Sequence, residues 1–483
     1  MTQILSDDTF DIMKYTVYHD DVIVNNVTFN IETSARLVLA GNDIFDDDIV
    51  NLSGQLRVRG PTEFNGLTLK GSIVLVNSSV VHETSVTAES GAVIRNLKGA
   101  IWNLDNFTGL NANFVNFGLF INTTNNASDE MGIGGAFLNY GTIDVEAGRL
   151  WLDSTDAKIG GYVTGQGAFG ATSALLQSAK LSVATLFFPN GPLQVSGYTV
   201  SSSTLEINQM ELLNGKFVNI GDSGADFLYY CTGHGYFVNK ADITIVTTFR
   251  LNDSFNVVNS GFLTFAPATP NEGYPPNVDA HGDLTIRNLR GATWRNQSPT
   301  ASPITFLGTS ETAVFYNFGN FEAAGAHGVV VSMAINNNGV VRAAPSTAGP
   351  TSFTFDDFVR GVGVIEVGAD NVTMNSIVGT GQTLQFVSAG SVNPDPRLTL
   401  NDVGQFFGSI SGFDAYGDDS IFVDTSIWAF QAFAENAAGT AGSLMFSNGE
   451  SIKSVTLAGA YDPAGFEASA SGHSTTITYL APK

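Results

Sequence analysis

The chain has 483 residues, more than one compact core accommodates, so either several domains or one elongated repeat body is expected. Its 52 Gly, 35 Phe and only 14% charged residues suit many short strands joined by tight turns and lack the Ala/Glu/Lys/Leu bias of helical proteins. With 21 Lys and Arg against 45 Asp and Glu, the formal net charge of −24 repels phosphate backbones and anionic membranes, which argues against a nucleic-acid partner, and no run of eighteen apolar residues provides for membrane insertion.

In chain order, residues 1–35 alternate apolar and polar positions from Tyr15 through Val17, Val22, Val24, Val27 and Phe29, as half-buried strands do, and read as an N-terminal cap and first coils. Three phrases follow between Leu37 and Val76, namely Arg36 to Gly41, Gln55 to Gly60 and Leu67 to Gly71. Each is a period-two strand ended by Gly.

From residue 114 a five-residue phrase dominates: an apolar residue, any residue, Asn, any residue, Gly. It occurs as Phe114 to Gly118, Phe137 to Gly141, Phe217 to Gly221, Val257 to Gly261, Phe315 to Gly319 and Ile335 to Gly339. A seventh copy, Phe237 to Ala241, lacks the Gly. Successive first residues lie 23, 80, 20, 20, 58 and 20 apart, mostly near multiples of twenty, and a fixed period in that range marks a stacked repeat. The phrase is read as one coil of a right-handed parallel β-solenoid, with coils of about twenty residues, some nineteen in all. The apolar residue points inward, and Asn116, Asn139, Asn219, Asn239, Asn259, Asn317 and Asn337 stack on one another. Gly118, Gly141, Gly221, Gly261, Gly319 and Gly339 take a turn conformation that a Cβ would hinder. The bland alternative is that Asn and Gly are common in the turns of any all-β protein.

A longer repeat is also present. Ile94-Arg95-Asn96-Leu97-Lys98-Gly99-Ala100-Ile101-Trp102 matches Ile286-Arg287-Asn288-Leu289-Arg290-Gly291-Ala292-Thr293-Trp294 at an offset of 192. The solenoid is therefore divided into a first half, 36–265, and a second half, 282–395, that partly duplicates 88–200. The Pro-rich loop 266–281 joins them, and 297–303 is a second surface loop. Residues 396–483 break the pattern and are expected to form a small β-rich C-terminal module.

Chemistry-bearing constellations are sparse. A polysaccharide lyase needs clustered carboxylates and a basic residue on one outer face, but Arg57, Arg59, Lys70, Arg95, Lys98, Arg149 and Lys158 scatter without coil spacing, so no enzyme and no catalytic residue is expected. The runs Asp46, Asp47, Asp48 and Asp418, Asp419 could offer oxygen ligands to calcium, the one cofactor considered; a solvated acidic turn is the commoner reading of such runs. Gly165-Gln166-Gly167 and Gly361-Val362-Gly363 read as turn glycines rather than phosphate loops. The lone Cys231, in apolar and aromatic company, reads as a buried thiol.

The C-terminal segment carries I-S-G-F from Ile410, D-S-I-F-V from Asp419, N-A-A-G-T-A-G-S-L from Asn436, V-T-L-A-G-A-Y from Val455 and S-G-H-S-T-T-I-T from Ser471. In that order these phrases resemble the C-terminal module of large repetitive β-strand-repeat surface proteins and adhesins of Gram-negative bacteria, and the central coils resemble the same proteins' repeats. The resemblance implies an extracellular protein of the cell surface or biofilm matrix, exported by type I secretion, which fits an N-terminus without a basic region and apolar core. The calcium nonapeptides often found beside such modules are missing here. The expected partner is the chain itself, in a head-to-tail homopolymer forming a filament, matrix or surface layer. A monomeric adhesin stalk binding surface glycans is the first alternative, and a solenoid polysaccharide lyase, hydrolase or phage tailspike the second.

Overall fold

A computed structural model describes the chain apart from residues 1, 53, 90, 106–109, 124–129, 155, 222–226, 247, 267–276, 299–302, 310–311, 326–327, 344–350, 369–370, 388–395, 414–418, 425–427 and 481–483. The fold is all-β: a parallel β-solenoid of about 18 turns with a small antiparallel β-rich C-terminal region. The chain groups into two compact units, Met1–Asp222 and Ser223–Lys483.

The first unit opens with three strands, Gln3–Ser6, Thr9–Ile12 and Tyr15–Tyr18, one on each side of the coil. The next three, Val22–Asn25, Thr28–Ile31 and Arg36–Leu39, lie directly on them in parallel register, Gln3 beside Val22, Thr9 beside Thr28 and Tyr15 beside Arg36. A β-strand alternates its side chains between faces, so within each four-residue strand every second residue enters the coil. Phe114, Phe120, Phe137 and Trp102 are fully buried in this way. Stacking coils then stacks rings: Phe114 and Phe137 lie 5.5 Å apart and 10° from parallel. In the second unit Trp294, Phe306, Phe315, Phe321 and Phe353 continue from ring to ring in the same manner.

Coil length varies more than a twenty-residue period implies. The strand-end position of Asn139 passes to Ile159, Leu176, Val195 and Leu212, four coils of 17 to 20 residues. Asn219 belongs to the neighbouring row, through Ile143, Val163, Leu181 and Ser201. The gap of 80 is thus four short coils plus a shift to the next side, and the gap of 58 is two coils of 29, Asn259 to Asn288 to Asn317. The additional residues fall between strands, in the first long coil between Phe262–Phe265 and Val278–His281, and the strands keep their parallel register.

Parallel stacking persists through Arg397–Leu400, Ser409–Ser411 and Ser420–Asp424, and antiparallel pairing begins beyond Asp424. On one side Ile452–Ala458 adds parallel to Ser409–Ser411, followed outward by Ala441–Ser447 and Ala429–Glu435, each antiparallel to its neighbour. On another, Ser474–Tyr479 adds antiparallel to Ser420–Asp424 and Phe466–Ser471 antiparallel to that. The two extensions meet through aromatic rings: Phe433 stacks on Phe466 at 4.3 Å, and Tyr461 and Tyr479 close around them.

Candidate functional site: ladders, buried acids and open strand edges

The asparagines of the repeated phrase are buried and bonded into continuous rows. In the first unit Asn77, Asn96 and Asn116 each pass an Nδ2 hydrogen to the Oδ1 of the next, at 2.9, 2.8 and 2.7 Å, and the row ends on Asn139. In the second, Asn239, Asn259, Asn288, Asn317 and Asn337 do the same at 3.0, 2.9, 2.9 and 2.8 Å. The second amide hydrogen of Asn116 reaches the Thr142 carbonyl, that of Asn259 the Thr293 carbonyl, and that of Asn317 the Val340 carbonyl. Oδ1 also accepts the backbone N–H two residues on, from Ser79, Gly118, Ala241, Gly261 and Gly339 in five of the rungs. A buried amide with its donors and acceptor all used stabilises the corner without leaving a polar atom stranded. Asn219 is buried too, and binds both the N–H and the carbonyl of Gly221.

Three rungs lie outside the short phrase, Asn77, Asn96 and Asn288, and the last two come from the longer nine-residue repeat. There Gly99 and Gly291 sit at φ 83° and 82°, and the Ala100 and Ala292 amides both donate to the carbonyl three residues back at 3.0 Å. The signal was present as Asn before a Leu-Lys-Gly or Leu-Arg-Gly corner, hidden by the longer turn. The second row ends on Gln382, whose longer side chain reaches across the intervening coil at Gly361 to accept from Asn337 at 3.1 Å.

The glycines of the phrase have a different cause from the one expected. None of Gly118, Gly141, Gly221, Gly261, Gly319 and Gly339 adopts positive φ. A Cβ at these positions would instead collide with a backbone carbonyl of the coil before, that of Ala100 at Gly118 and that of Ala292 at Gly319. Left-handed corners are taken by other residues, among them Asp7, Asn26 and Asp47, with Asn26 donating to Asp7 across the coils at 2.7 Å.

The acidic run resolves into separate roles. Asp46 and Asp47 are exposed, whereas Asp48 is buried and accepts backbone N–H groups from Val27 at 2.6 Å and Asp46 at 2.8 Å. Burial pushes its carboxyl up to about 6 against the pull of those two bonds, and the same cause raises Asp43 to about 6. Asp419 is buried, and Asp418 lies outside the described residues. Among the described residues no group of three or more His, Cys, Asp or Glu is placed to hold a metal ion.

Two further acids escaped the sequence reading. Glu83 is fully inside the coil, where burial raises its carboxyl to about 8 although Trp102 Nε1 donates to it at 2.6 Å. The corresponding position beside Trp294 is Phe265, whose ring stacks on the indole at 5.4 Å. Glu322 is buried on the outer row between Arg295 and Arg342, with contacts of 2.7 and 2.6 Å. Burial alone would raise its carboxyl; the two guanidinium groups outweigh that and hold it below the ordinary glutamate range. Cys231 is buried and its thiol is pushed well above its ordinary value, while His234, three residues on, is exposed, so the two form no common site.

What the fold leaves available is strand edge. Among the described residues Gln3–Ser6, Thr9–Ile12 and Tyr15–Tyr18 pair only on the side of the second coil. Their inward Leu5, Phe10, Thr16 and Tyr18 are half-covered, although Val24, Phe29, Leu37 and Leu39 beneath them are buried. Ile4 is 73% exposed and Met13 57%. The C-terminal strands Ala429–Glu435 and Phe466–Ser471 likewise have one paired side each. Comparison with known proteins gives no match: no family profile, no curated protein and no solved structure is similar to this chain.

Proposed function

We propose that this chain is a structural protein of a bacterial cell surface, exported to the outside and assembling with copies of itself into a filament, matrix or layer. The observation that carries the reading is the set of unpaired, half-apolar strand edges on the first coil and in the C-terminal region, since an open edge is a template for another strand. The ladders support it as well: the buried asparagines of the two rows are spent on coil-to-coil contact, which suits a protein that works by shape. Repetition of the same edge-to-edge contact gives open growth when the operator does not close on itself. Electron microscopy of purified protein, with and without calcium, tests this, and monodisperse monomers under all conditions would refute it.

A second reading, adhesion to a glycan, is favoured by one corner of the first unit. Outward aromatic rings follow one another there: Phe117 stacked on Tyr140 at 5.2 Å, Lys180 over Tyr162 at 5.3 Å and Lys216 over Tyr198 at 5.7 Å. Exposed rings of this kind stack on the apolar faces of sugars, and the ammonium groups would favour acidic ones. Glycan-array binding that is lost in a Tyr140→Ala, Tyr162→Ala, Tyr198→Ala triple variant supports adhesion, and unchanged binding excludes this corner.

A further inference from the structure

The direction of the edge strands says which surfaces of two copies meet. Along the first C-terminal extension the chain sense is kept from Ser409–Ser411 to Ile452–Ala458, reversed at Ala441–Ser447 and reversed again at Ala429–Glu435. Along the second it is reversed at Ser474–Tyr479 and again at Phe466–Ser471. Both terminal edge strands therefore run in the same sense as the coil strands. Each presents to a newcomer the edge that the next parallel coil would meet.

We infer that Ala429–Glu435 and Phe466–Ser471 of one molecule are the seat for the first coil of a second copy, which adds to them by parallel strand pairing. This rests on the self-assembly reading and names its contact. The lengths agree: edge strands of seven and six residues face first-coil strands of four. Half-covered apolar groups stand on both sides, Leu5 and Phe10 on the coil, Phe430 and Phe466 on the seat. Covering the two first-coil strands that these edges can meet, each about 13 Å long at roughly 3.3 Å per residue, buries on the order of 300 Å² per partner, below the standard size of specific contacts. The contact is accordingly reversible and concentration-dependent, as suits growth at a crowded surface. Charge acts against it: Asp7, Asp8 and Asp11 of the first coil are exposed, as are Glu435 and Glu467 of the seat. Raised ionic strength, which screens like charges, is expected to promote it.

The test is thiol crosslinking with a short bismaleimide on the full chain, whose own Cys231 is buried. The variants are Ile4→Cys, Gln431→Cys and the double, at exposed positions on the two surfaces. The double variant is expected to give a ladder of trimers and higher multimers that strengthens with salt, while each single variant stops at dimers or below. If Ile4→Cys alone crosslinks to dimers as efficiently as the double variant forms multimers, the coils meet head to head and the proposed seat is wrong. The same holds if light scattering detects multimers that neither variant traps, or if Ile4→Cys on whole cells attaches to a different protein; in the first two cases self-assembly itself survives. Monomers at every salt, calcium and protein concentration remove both the contact and the functional reading.

Discussion

Replacing Asn116 by Asp probes the ladder at an interior rung. The two groups differ by an NH2 exchanged for an oxygen, so size is kept and the hydrogen-bond sense is reversed. Asn116 donates to Asn139 Oδ1 at 2.7 Å and to the Thr142 carbonyl at 3.0 Å, and both acceptors would face a carboxylate oxygen instead. The bonds it accepts, from Asn96 at 2.8 Å and Gly118 at 3.2 Å, would survive. Two buried acceptors left without donors cost roughly 1–3 kcal/mol each, so the expected loss at pH 7.5 is about 2–6 kcal/mol. For a unit of this size that is a fall on the order of 10 °C in the unfolding midpoint. The introduced carboxyl has a folded pKa raised by burial and by the neighbouring acceptors. The penalty is therefore full above that pKa and shrinks as the pH falls toward the ordinary aspartate value, where the protonated group donates one bond back. Circular dichroism melts at pH 7.5 and pH 4.5 measure both effects, with Asn208→Asp on the exposed surface as the control. A midpoint at pH 7.5 within about 1 °C of the parent chain would show that the row contributes nothing to holding coils together.

Gly118→Ala should destabilise by about 1–3 kcal/mol because its Cβ meets the Leu97 and Ala100 carbonyls. Gly99→Ala, at φ 83° with open space around it, should cost only about 1 kcal/mol; chemical denaturation that ranks them in reverse order contradicts the close-approach explanation. Glu83→Gln should remove a pH dependence. The carboxyl titrates near 8 when folded and near 4.5 when free, so the folded chain holds the extra proton and the parent protein loses stability as pH rises between those values, by about 5 kcal/mol in total. The variant is expected to match the parent near pH 4.5 and exceed it at pH 8.5 in thermal melts, and parallel pH profiles would refute the assignment. Arg342→Ala should weaken the second unit most at neutral pH, where Glu322 is charged and keeps only Arg295, and less as the pH falls through the glutamate range; unfolding of the variant at pH 7 and pH 4 compares the two.

Much of this protein can be read from short-range order. Period-two alternation fixes which residues enter a coil, because a strand cannot present adjacent residues to the same side, and the Asn of each phrase marks a corner whose inner amide must be satisfied by the next coil. Register was not legible. Equal spacing of twenty hides coils of 17 residues and coils of 29, because a corner absorbs insertions without disturbing the strands it joins. The same holds for burial of charge: in the run Asp46 to Asp48 the three side chains look alike in sequence, and only the left-handed corner at Asp47 together with the Val27 amide of the coil before turns Asp48 inward. The glycines show the limit most plainly. Sequence placed them where no Cβ fits, but the obstacle is a carbonyl contributed by a residue about eighteen positions earlier in the first case, Ala100 against Gly118, and so it exists only once the coils are stacked. The amino-acid pattern determined that this chain winds into coils; which residues touch from coil to coil, and which strand edges remain open, was decided by the tertiary stacking, since hydrogen bonds between coils join residues the chain itself keeps far apart.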